Sequence, residues 1–113
     1  MKKIIIFKTD RIGDFINFSP CLRIIKDNLK NCEITMICSD YNYQIVKNYK
    51  EIDKIYIIKK KIYIDFFFIV KNFVNKKFDY LFQMDGSKKS YFYSIFINAK
   101  LKSTIFFLKK TKQ

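Results

Sequence analysis

Five short apolar runs alternate along the chain with segments whose apolar residues recur every three or four positions. Each run is long enough for one β-strand, and together they cover residues 3–8, 33–38, 54–58, 80–84 and 103–108. The first and fifth runs are continuously apolar, which is typical of strands covered by helices on both faces. The intervening segments predict helices, so the element order is β-α-β-α-β-α-β-α-β. This order predicts a parallel sheet with right-handed crossovers.

The segment between the first two strands has one apolar stripe at helical spacing, formed by Phe15, Phe18, Leu22, Ile25 and Leu29. Pro20 leaves two interpretations of this segment open. Either the helix begins at Ser19 after a short turn, with Pro20 in its first turn, or Pro20 kinks a longer helix.

Three further helices are predicted from caps and apolar spacing. Ser39 or Asp40 caps the second helix, Asp65 caps the third, and the fourth covers residues 90–98. The apolar residues predicted on these helices are Ile45, Val46 and Tyr49, then Phe66, Ile69, Val70, Phe73 and Val74 facing the sheet, and last Phe92, Ile95 and Phe96.

Composition agrees with one folded domain. Half of the 113 residues are hydrophobic, and this length is sufficient for an ordinary core. We therefore expect a single Rossmann-like α/β domain over residues 1–108, with about five parallel strands and helices on both faces. Residues 109–113 are expected to form a polar tail.

The charge is strongly positive, with 23 Lys and Arg residues against 10 Asp and Glu residues. Most of it is lysine, which, like the abundant Ile, Asn, Phe and Tyr, has A/T-rich codons. Base composition therefore accounts for much of the basicity. The charge still favours contact with phosphorylated substrates or an acidic membrane leaflet. Nucleic acid is disfavoured as a partner, because the lysines are scattered and no binding motif accompanies them.

The chain has no histidine, which excludes His-based triads and imidazole metal sites. Its cysteines, Cys21, Cys32 and Cys38, are odd in number and form no CxxC pair, which is typical of reduced thiols in a cytoplasmic protein. The apolar runs at residues 4–7 and 62–70 are too short for a signal peptide or a membrane span. We expect a cytoplasmic location.

Both glycines of the chain follow predicted strands, Gly13 after the first and Gly86 after the fourth. Ligands of open parallel sheets bind beyond the carboxyl ends of the strands, where both glycines fall. The polar residues that accompany them are Thr9, Asp10, Arg11 and Asp14 in the first turn, and Asp85, Ser87, Lys88, Lys89 and Ser90 in the second. The second turn, which precedes a helix, is a candidate anion site.

Simpler interpretations of the same residues remain open. Asp14, Ser87 or Ser90 can serve only as helix caps, and Lys88 with Lys89 can form a solvated face. Neither turn contains the G-x-G-x-x-G dinucleotide motif or a P-loop. The residues alone therefore indicate a domain that handles phosphate or sugar.

The stretch KTDRIGDFINFSPCLRIIKDNLKNCEITMICS resembles the N-terminus of the heptosyltransferase family, glycosyltransferase family 9, which has the two-domain GT-B fold. The resemblance rests on an R-x-G-D turn and a P-x-L helix, here Arg11, Gly13, Asp14, Pro20 and Leu22. EIDKIYII resembles the third strand of the family. FDYLFQMDGSKKS resembles its Y-D-x-x-x-D-x-x-G-S-x-x-S segment, and NAKLKSTIFF the stretch after it.

The resemblance implies an inverting transferase that moves heptose from ADP-heptose to a lipid-anchored acceptor of the lipopolysaccharide core. Asp14 would be the general base. The acceptor-binding residues that the resemblance implies are Thr9, Asp10, Arg11, Gly13, Gly86, Ser87 and Lys88. The implied reaction needs no divalent metal and no cofactor beyond the nucleotide-sugar donor.

The family binds its donor mainly through a second Rossmann-like domain, which we expect to be absent from these 113 residues. The resemblance therefore covers the acceptor-side half, and transfer would require a donor domain from another polypeptide. We expect peripheral contact with the inner face of the anionic inner membrane. Two alternatives are a non-catalytic saccharide-binding or interaction module and, from the charge alone, a nucleic-acid-binding domain.

Overall fold

The computed structural model describes residues 1–59, 61–85 and 87–104. In these residues five strands and five helices follow one another along the chain. Their bounds are β1 Lys2–Phe7, α1 Ile12–Phe18, α2 Pro20–Asn28, β2 Cys32–Ser39, α3 Tyr43–Val46, β3 Lys54–Ile58, α4 Ile62–Phe73, β4 Lys77–Gln83, α5 Lys88–Ile95 and β5 Asn98–Thr104.

The five strands form one parallel sheet in the order β3-β2-β1-β4-β5. The chain runs outward from β1 to β3, and then returns to β4 on the other side of β1. The direction of strand progression therefore changes between β1 and β4, which is where open α/β sheets bind ligands. This topology confirms the predicted Rossmann-like fold.

Strand β1 is apolar on both faces because helices cover both. Ile4 and Ile6 pack into a core that includes Phe15 of α1 and residues of α2 and α3. Ile5 and Phe7 point the other way, into a core that includes residues of α4 and α5. Side chains alternate along a strand, so a central strand with two covered faces is apolar throughout.

The strand register brings three loops together. Phe7 pairs with Ile37 of β2 on one side and with Gln83 of β4 on the other. Each of the three strands then ends within two residues. The loops that follow β1, β2 and β4 consequently meet at the carboxyl edge of the sheet.

Each interpretation of Pro20 is right in part, because Pro20 lies in the first turn of a separate helix, α2, with Ser19 as its N-cap residue, but this helix follows directly on α1 rather than on a turn. Helix α1 begins at Ile12, and Ser19 has helical dihedral angles, φ −56° and ψ −31°. Pro20 has no N–H to donate to the carbonyl of Ile16. The Ser19 hydroxyl donates to that carbonyl instead, at 2.8 Å. The break between α1 and α2 is therefore local.

The predicted helix caps at Ser39, Asp40 and Asp65 are wrong. Asn42 precedes α3, which is a single turn, and Ser39 is still part of β2. Asp65 lies inside α4, which begins at Ile62, and its Oδ1 accepts a hydrogen bond from the backbone N–H of Lys59 at 2.7 Å. That bond fixes the loop before α4 rather than the first turn of the helix.

Three other predictions also need correction. Val74 is 56% exposed and does not face the sheet, and α5 buries Ser90, Tyr93 and Ser94 rather than its phenylalanines. Strand β5 begins at Asn98, five residues earlier than predicted. Its lysines hid it, because edge strands carry charges that interrupt the apolar pattern. Residues 105–113, which include the predicted strand end and tail, lie outside the described residues.

Replacing Phe15 with alanine is expected to lower the free energy of unfolding by about 3–5 kcal/mol, because it leaves a cavity under α1. Phe15 is fully buried, and its ring lies 5.3 Å from that of Tyr49. The neighbouring residue Ile16, which is 48% exposed, supplies the control, since Ile16→Ala should change this free energy by less than about 0.5 kcal/mol. Urea unfolding followed by circular dichroism measures both. Equal effects would contradict the assigned packing.

Candidate functional site

The carboxylate of Asp85 joins the loops that follow β1 and β4. Its Oδ2 accepts hydrogen bonds from the Thr9 N–H at 3.1 Å, the Thr9 hydroxyl at 2.5 Å and the Ser90 hydroxyl at 2.7 Å. Its Oδ1 accepts from the Gln83 side-chain amide at 2.7 Å and the Ser87 N–H at 3.1 Å. Five donors thus surround one buried carboxylate, which fixes Thr9 relative to the start of α5.

The loop after β2 supports the other side of the β1 loop. The Ser39 hydroxyl donates to the carbonyl of Thr9 at 2.7 Å, and the Asn42 side-chain amide donates to the carbonyl of Lys8 at 2.9 Å. The Ser39 N–H in turn donates to the Asn42 Oδ1 at 3.1 Å. Hydrogen bonds from the loops after β2 and β4 therefore hold residues 8 and 9 in place. This fixes the direction in which the chain continues toward α1.

Lys8 lies beneath this loop with only 9% of its side chain exposed. Its ammonium donates to Asp10 Oδ2 at 3.1 Å and to the Met84 carbonyl at 2.8 Å. Burial raises the pKa of Asp10 above 3.8, and the hydrogen bond and charge of Lys8 oppose this. The nearby Asp14 and Asp85 carboxylates raise the pKa of Asp10 further. Asp10 Oδ1 is buried and has no hydrogen-bond partner.

The R-x-G-D residues form the first turn of α1. Arg11 is the exposed N-cap residue, and Asp14 is exposed inside the first turn, so Asp14 does not cap this helix. Gly13 also lies in the helix, and a β-carbon there would meet nothing within 4 Å. The surface above Gly13 is therefore open to a ligand.

The second predicted turn is only partly described, because Gly86 lies outside the described residues. Ser87 caps α5, and its hydroxyl accepts a hydrogen bond from the Ser90 N–H at 3.3 Å. Lys88 and Lys89 are both exposed. The capping interpretation of Ser87 is thus correct, and the anion site predicted from this turn stays a prediction.

An open cleft of about 340 Å³ lies against the β1 loop and is lined by Thr9, Asp10, Arg11 and Tyr41. Tyr41 is 65% exposed and comes from the loop after β2. The cleft thus combines a carboxylate, a guanidinium and an aromatic ring. These are groups that can bind the hydroxyls, the anionic substituents and the ring face of a sugar.

Three residues that contribute to this region were not predicted from the sequence, namely Lys8, Tyr41 and Asn42. Their positions could have indicated this, because each of the three follows the end of a strand at the ligand-binding edge. No group of three potential ligands among His, Cys, Asp and Glu could hold a metal ion in the described part of the chain. Within that part, no helix has the length and apolar character needed to cross a membrane.

No family model and no curated protein matches the sequence. Solved structures do resemble this one. A family 9 glycosyl transferase from Veillonella parvula superposes with a TM-score of 0.76 at 18% identity, over 94% of this chain and 33% of its own. The Escherichia coli heptosyltransferase WaaC with ADP gives a TM-score of 0.75 at 13% identity, over 89% of this chain and 35% of its own.

The fold is that of one Rossmann-like half of a GT-B glycosyltransferase. The family 9 resemblance predicted from the sequence is confirmed at the level of the fold. The chain spans about a third of the length of these two structures. On this GT-B half, the polar cluster lies at the carboxyl edge between β1 and β4.

Replacing Asp85 with asparagine is expected to lower the free energy of unfolding by about 2–4 kcal/mol, because an amide nitrogen would face hydrogen-bond donors. The control is Asp27→Asn, which removes the same charge at an exposed position of α2. Urea unfolding measures the difference, and amide NMR shifts at residues 9–14 report whether the β1 loop moves. A variant as stable as the Asp27→Asn control would contradict the role of Asp85.

Replacing Lys8 with methionine is expected to raise the pKa of Asp10 further, because Lys8 supplies the hydrogen bond and the charge that lower it. NMR titration of the Asp10 side-chain carbon measures this pKa. Because the folded pKa of Asp10 is raised, its contribution to stability is present below about pH 3.8 and is lost as the pH rises through the folded pKa. An unchanged or lowered pKa in Lys8→Met would contradict the assigned pair.

Proposed function

We propose that this domain is the acceptor-side half of a heptosyltransferase-like glycosyltransferase. The observation that carries the proposal is the polar cluster at the carboxyl edge between β1 and β4, on a fold shared with family 9 structures. There, the exposed Asp14 carboxylate and the exposed Arg11 guanidinium lie beside an open cleft. They follow the β1 loop, which is held by hydrogen bonds from both neighbouring loops.

Asp14 is the proposed general base. As the acceptor hydroxyl attacks C1 of the donor sugar, its oxygen forms the new bond and its proton passes to the Asp14 carboxylate. The bond from C1 to the diphosphate oxygen breaks, and the nucleoside diphosphate leaves with that electron pair from the opposite face of C1, so C1 is inverted. The positive end of α1 is favourable for a carboxylate at Asp14, and the exposed position gives a hydroxyl access to it.

Arg11 and Asp10 are the proposed acceptor contacts. The Arg11 guanidinium can bind a phosphate or carboxylate of the acceptor in bidentate fashion. The Asp10 carboxylate lines the cleft and can accept a hydrogen bond from a sugar hydroxyl. Thr9 supports the loop, since both of its donors bind Asp85. Gly13 leaves room, and Ser87 and Lys88 complete the proposed acceptor site from the start of α5.

The donor, proposed to be ADP-heptose, would bind mainly to a second domain. The acceptor is proposed to be a lipid-anchored saccharide of the lipopolysaccharide-core type, reached from the cytoplasmic side of the inner membrane. We propose no metal or cofactor for this step, in which Asp14 takes the proton and the diphosphate is the leaving group.

The first test is acceptor binding by this chain. A phosphorylated core oligosaccharide should shift the amide NMR signals of residues 9–14, and Arg11→Gln should weaken binding at least about fivefold through loss of a charged hydrogen bond. The chain has one other arginine, Arg23, which is exposed on α2, so Arg23→Gln is a matched control. Equal binding by the two variants would contradict the role of Arg11.

The second test concerns the base. In a fusion that adds a family 9 donor domain, Asp14→Asn is expected to reduce kcat by about 10²–10⁴-fold with little change in KM, because only proton transfer is lost. Asp27→Asn provides the control for loss of one exposed charge. Transfer at the wild-type rate by Asp14→Asn would refute the base assignment. Saccharide binding without turnover in the unsubstituted fusion would favour the non-catalytic module instead.

A further inference from the structure

The outward face of the first two turns of α4 is apolar, and the acidic residue of this helix points inward. Asp65 is 1% exposed, whereas Tyr63 is 88% and Phe67 is 68% exposed. A surface helix of a globular protein normally has the opposite arrangement, with charged residues outside and an apolar stripe inside. The last turn of α4 has an exposed lysine, Lys71, so it is the first two turns that lack the polar character of a solvated helix.

The apolar area continues onto α5. The Phe66 ring lies 4.9 Å from that of Phe96 and 5.8 Å from that of Phe92, and both of the latter side chains are more than 40% exposed. The two helices therefore share one aromatic surface. We call this the α4–α5 surface and define it by Ile62, Tyr63, Ile64, Phe67, Phe92 and Phe96, each at least 41% exposed. Contiguous apolar patches of this kind mark interaction sites.

Lysines border the α4–α5 surface at one end. Lys59 and Lys61 precede α4, and Lys88 begins α5, and all three are exposed. Helix α5 contains no acidic residue, and the acid of α4 is buried. Because both helices follow the carboxyl ends of strands, these lysines lie at the same edge of the sheet as the cleft. These lysines therefore form a basic rim beside the apolar, aromatic surface.

We propose that the α4–α5 surface docks onto an anionic lipid bilayer, with the aromatic side chains at the headgroup level and the lysines on the lipid phosphates. Aromatic rings partition favourably into this interface, and lysines are attracted to anionic lipids. A second copy of the chain fits less well, because two copies that each carry a net charge of +13 repel one another.

The geometry of docking follows from the position of the lysines. With Lys59, Lys61 and Lys88 on the lipid, the carboxyl edge of the sheet lies close to the bilayer, and helix α4 lies along it. Helix α4 has 12 residues, which is too short to span a bilayer and sufficient for an interfacial helix. The surface itself does not depend on the proposed transfer reaction, although a lipid-anchored acceptor would reach the cleft from this side.

The test is co-sedimentation of the 113-residue chain with vesicles of phosphatidylcholine and phosphatidylglycerol, compared with phosphatidylcholine alone. Binding is expected to the anionic vesicles and to weaken as salt is added. Tyr63→Ser with Phe67→Ser should reduce partitioning at least about tenfold, through loss of aromatic burial. The control is Ile16→Ser with Ile24→Ser, since both side chains are exposed on helices of the opposite face.

A second pair of variants tests the charge. Lys59→Gln with Lys61→Gln should reduce partitioning by roughly fivefold for each lysine. The control is Lys47→Gln with Lys50→Gln, an equal loss of charge beside α3 on the other face of the sheet. Equal partitioning of the two pairs would overturn the proposed contact, because the charge would then act without regard to position.

The chain has no tryptophan, so a single introduced one reports its own environment. Phe67→Trp emission should shift to the blue on addition of anionic vesicles, while Ile24→Trp emission should not. Concentration-dependent dimerisation without vesicles that Phe67→Ser abolishes would instead assign the surface to a second copy and overturn the proposal. Saccharide binding by the chain is a separate readout, so failure here leaves the proposed acceptor site to its own test.

Discussion

The arrangement at the carboxyl edge depends on one buried carboxylate, that of Asp85. A carboxylate removed from water is stabilised only if hydrogen-bond donors replace its hydration, and Asp85 has five of them. Those donors come from the β1 loop, the end of β4 and the start of α5. Because no neighbouring donor can be withdrawn without leaving charge unsatisfied, Thr9 and the loop after it are held in place.

The direction of the next side chains follows from packing. Phe15 is fully buried between Phe18 and Tyr49, which fixes the rotation of α1 about its axis. Successive residues of a helix are rotated by about 100°, so Asp14 must then point away from the core. The exposed position of Asp14 is therefore a consequence of burying its neighbour. A core residue and a hydrogen-bonded carboxylate together position the proposed base, although neither contacts it.

The sequence was sufficient to predict a strand that is buried on both faces. It was insufficient where charged or polar residues belong to a strand or form buried hydrogen bonds. Strand β1 could be located because a strand covered on both faces is continuously apolar, whereas the lysines of β5 concealed an edge strand. The cluster of Asp10, Arg11 and Asp14 could be placed at the ligand-binding edge from order alone. The partners of Asp85 and the burial of Lys8 could not, because they depend on a strand register that relates residues more than seventy positions apart.

The basic and aromatic composition of the chain does not explain the α4–α5 surface by itself. A/T-rich codons favour Lys, Phe, Tyr and Ile wherever selection permits them, and this applies equally to every helix. Yet the exposed residues of α2 include Arg23 and Asp27 beside Ile24, while those of α4 are Ile62, Tyr63, Ile64, Phe67 and a single lysine, Lys71. A uniform codon bias does not by itself account for this difference in polarity between the two helices. The difference is what the proposed lipid contact would produce, because aromatic side chains are favourable on α4 only where they leave water.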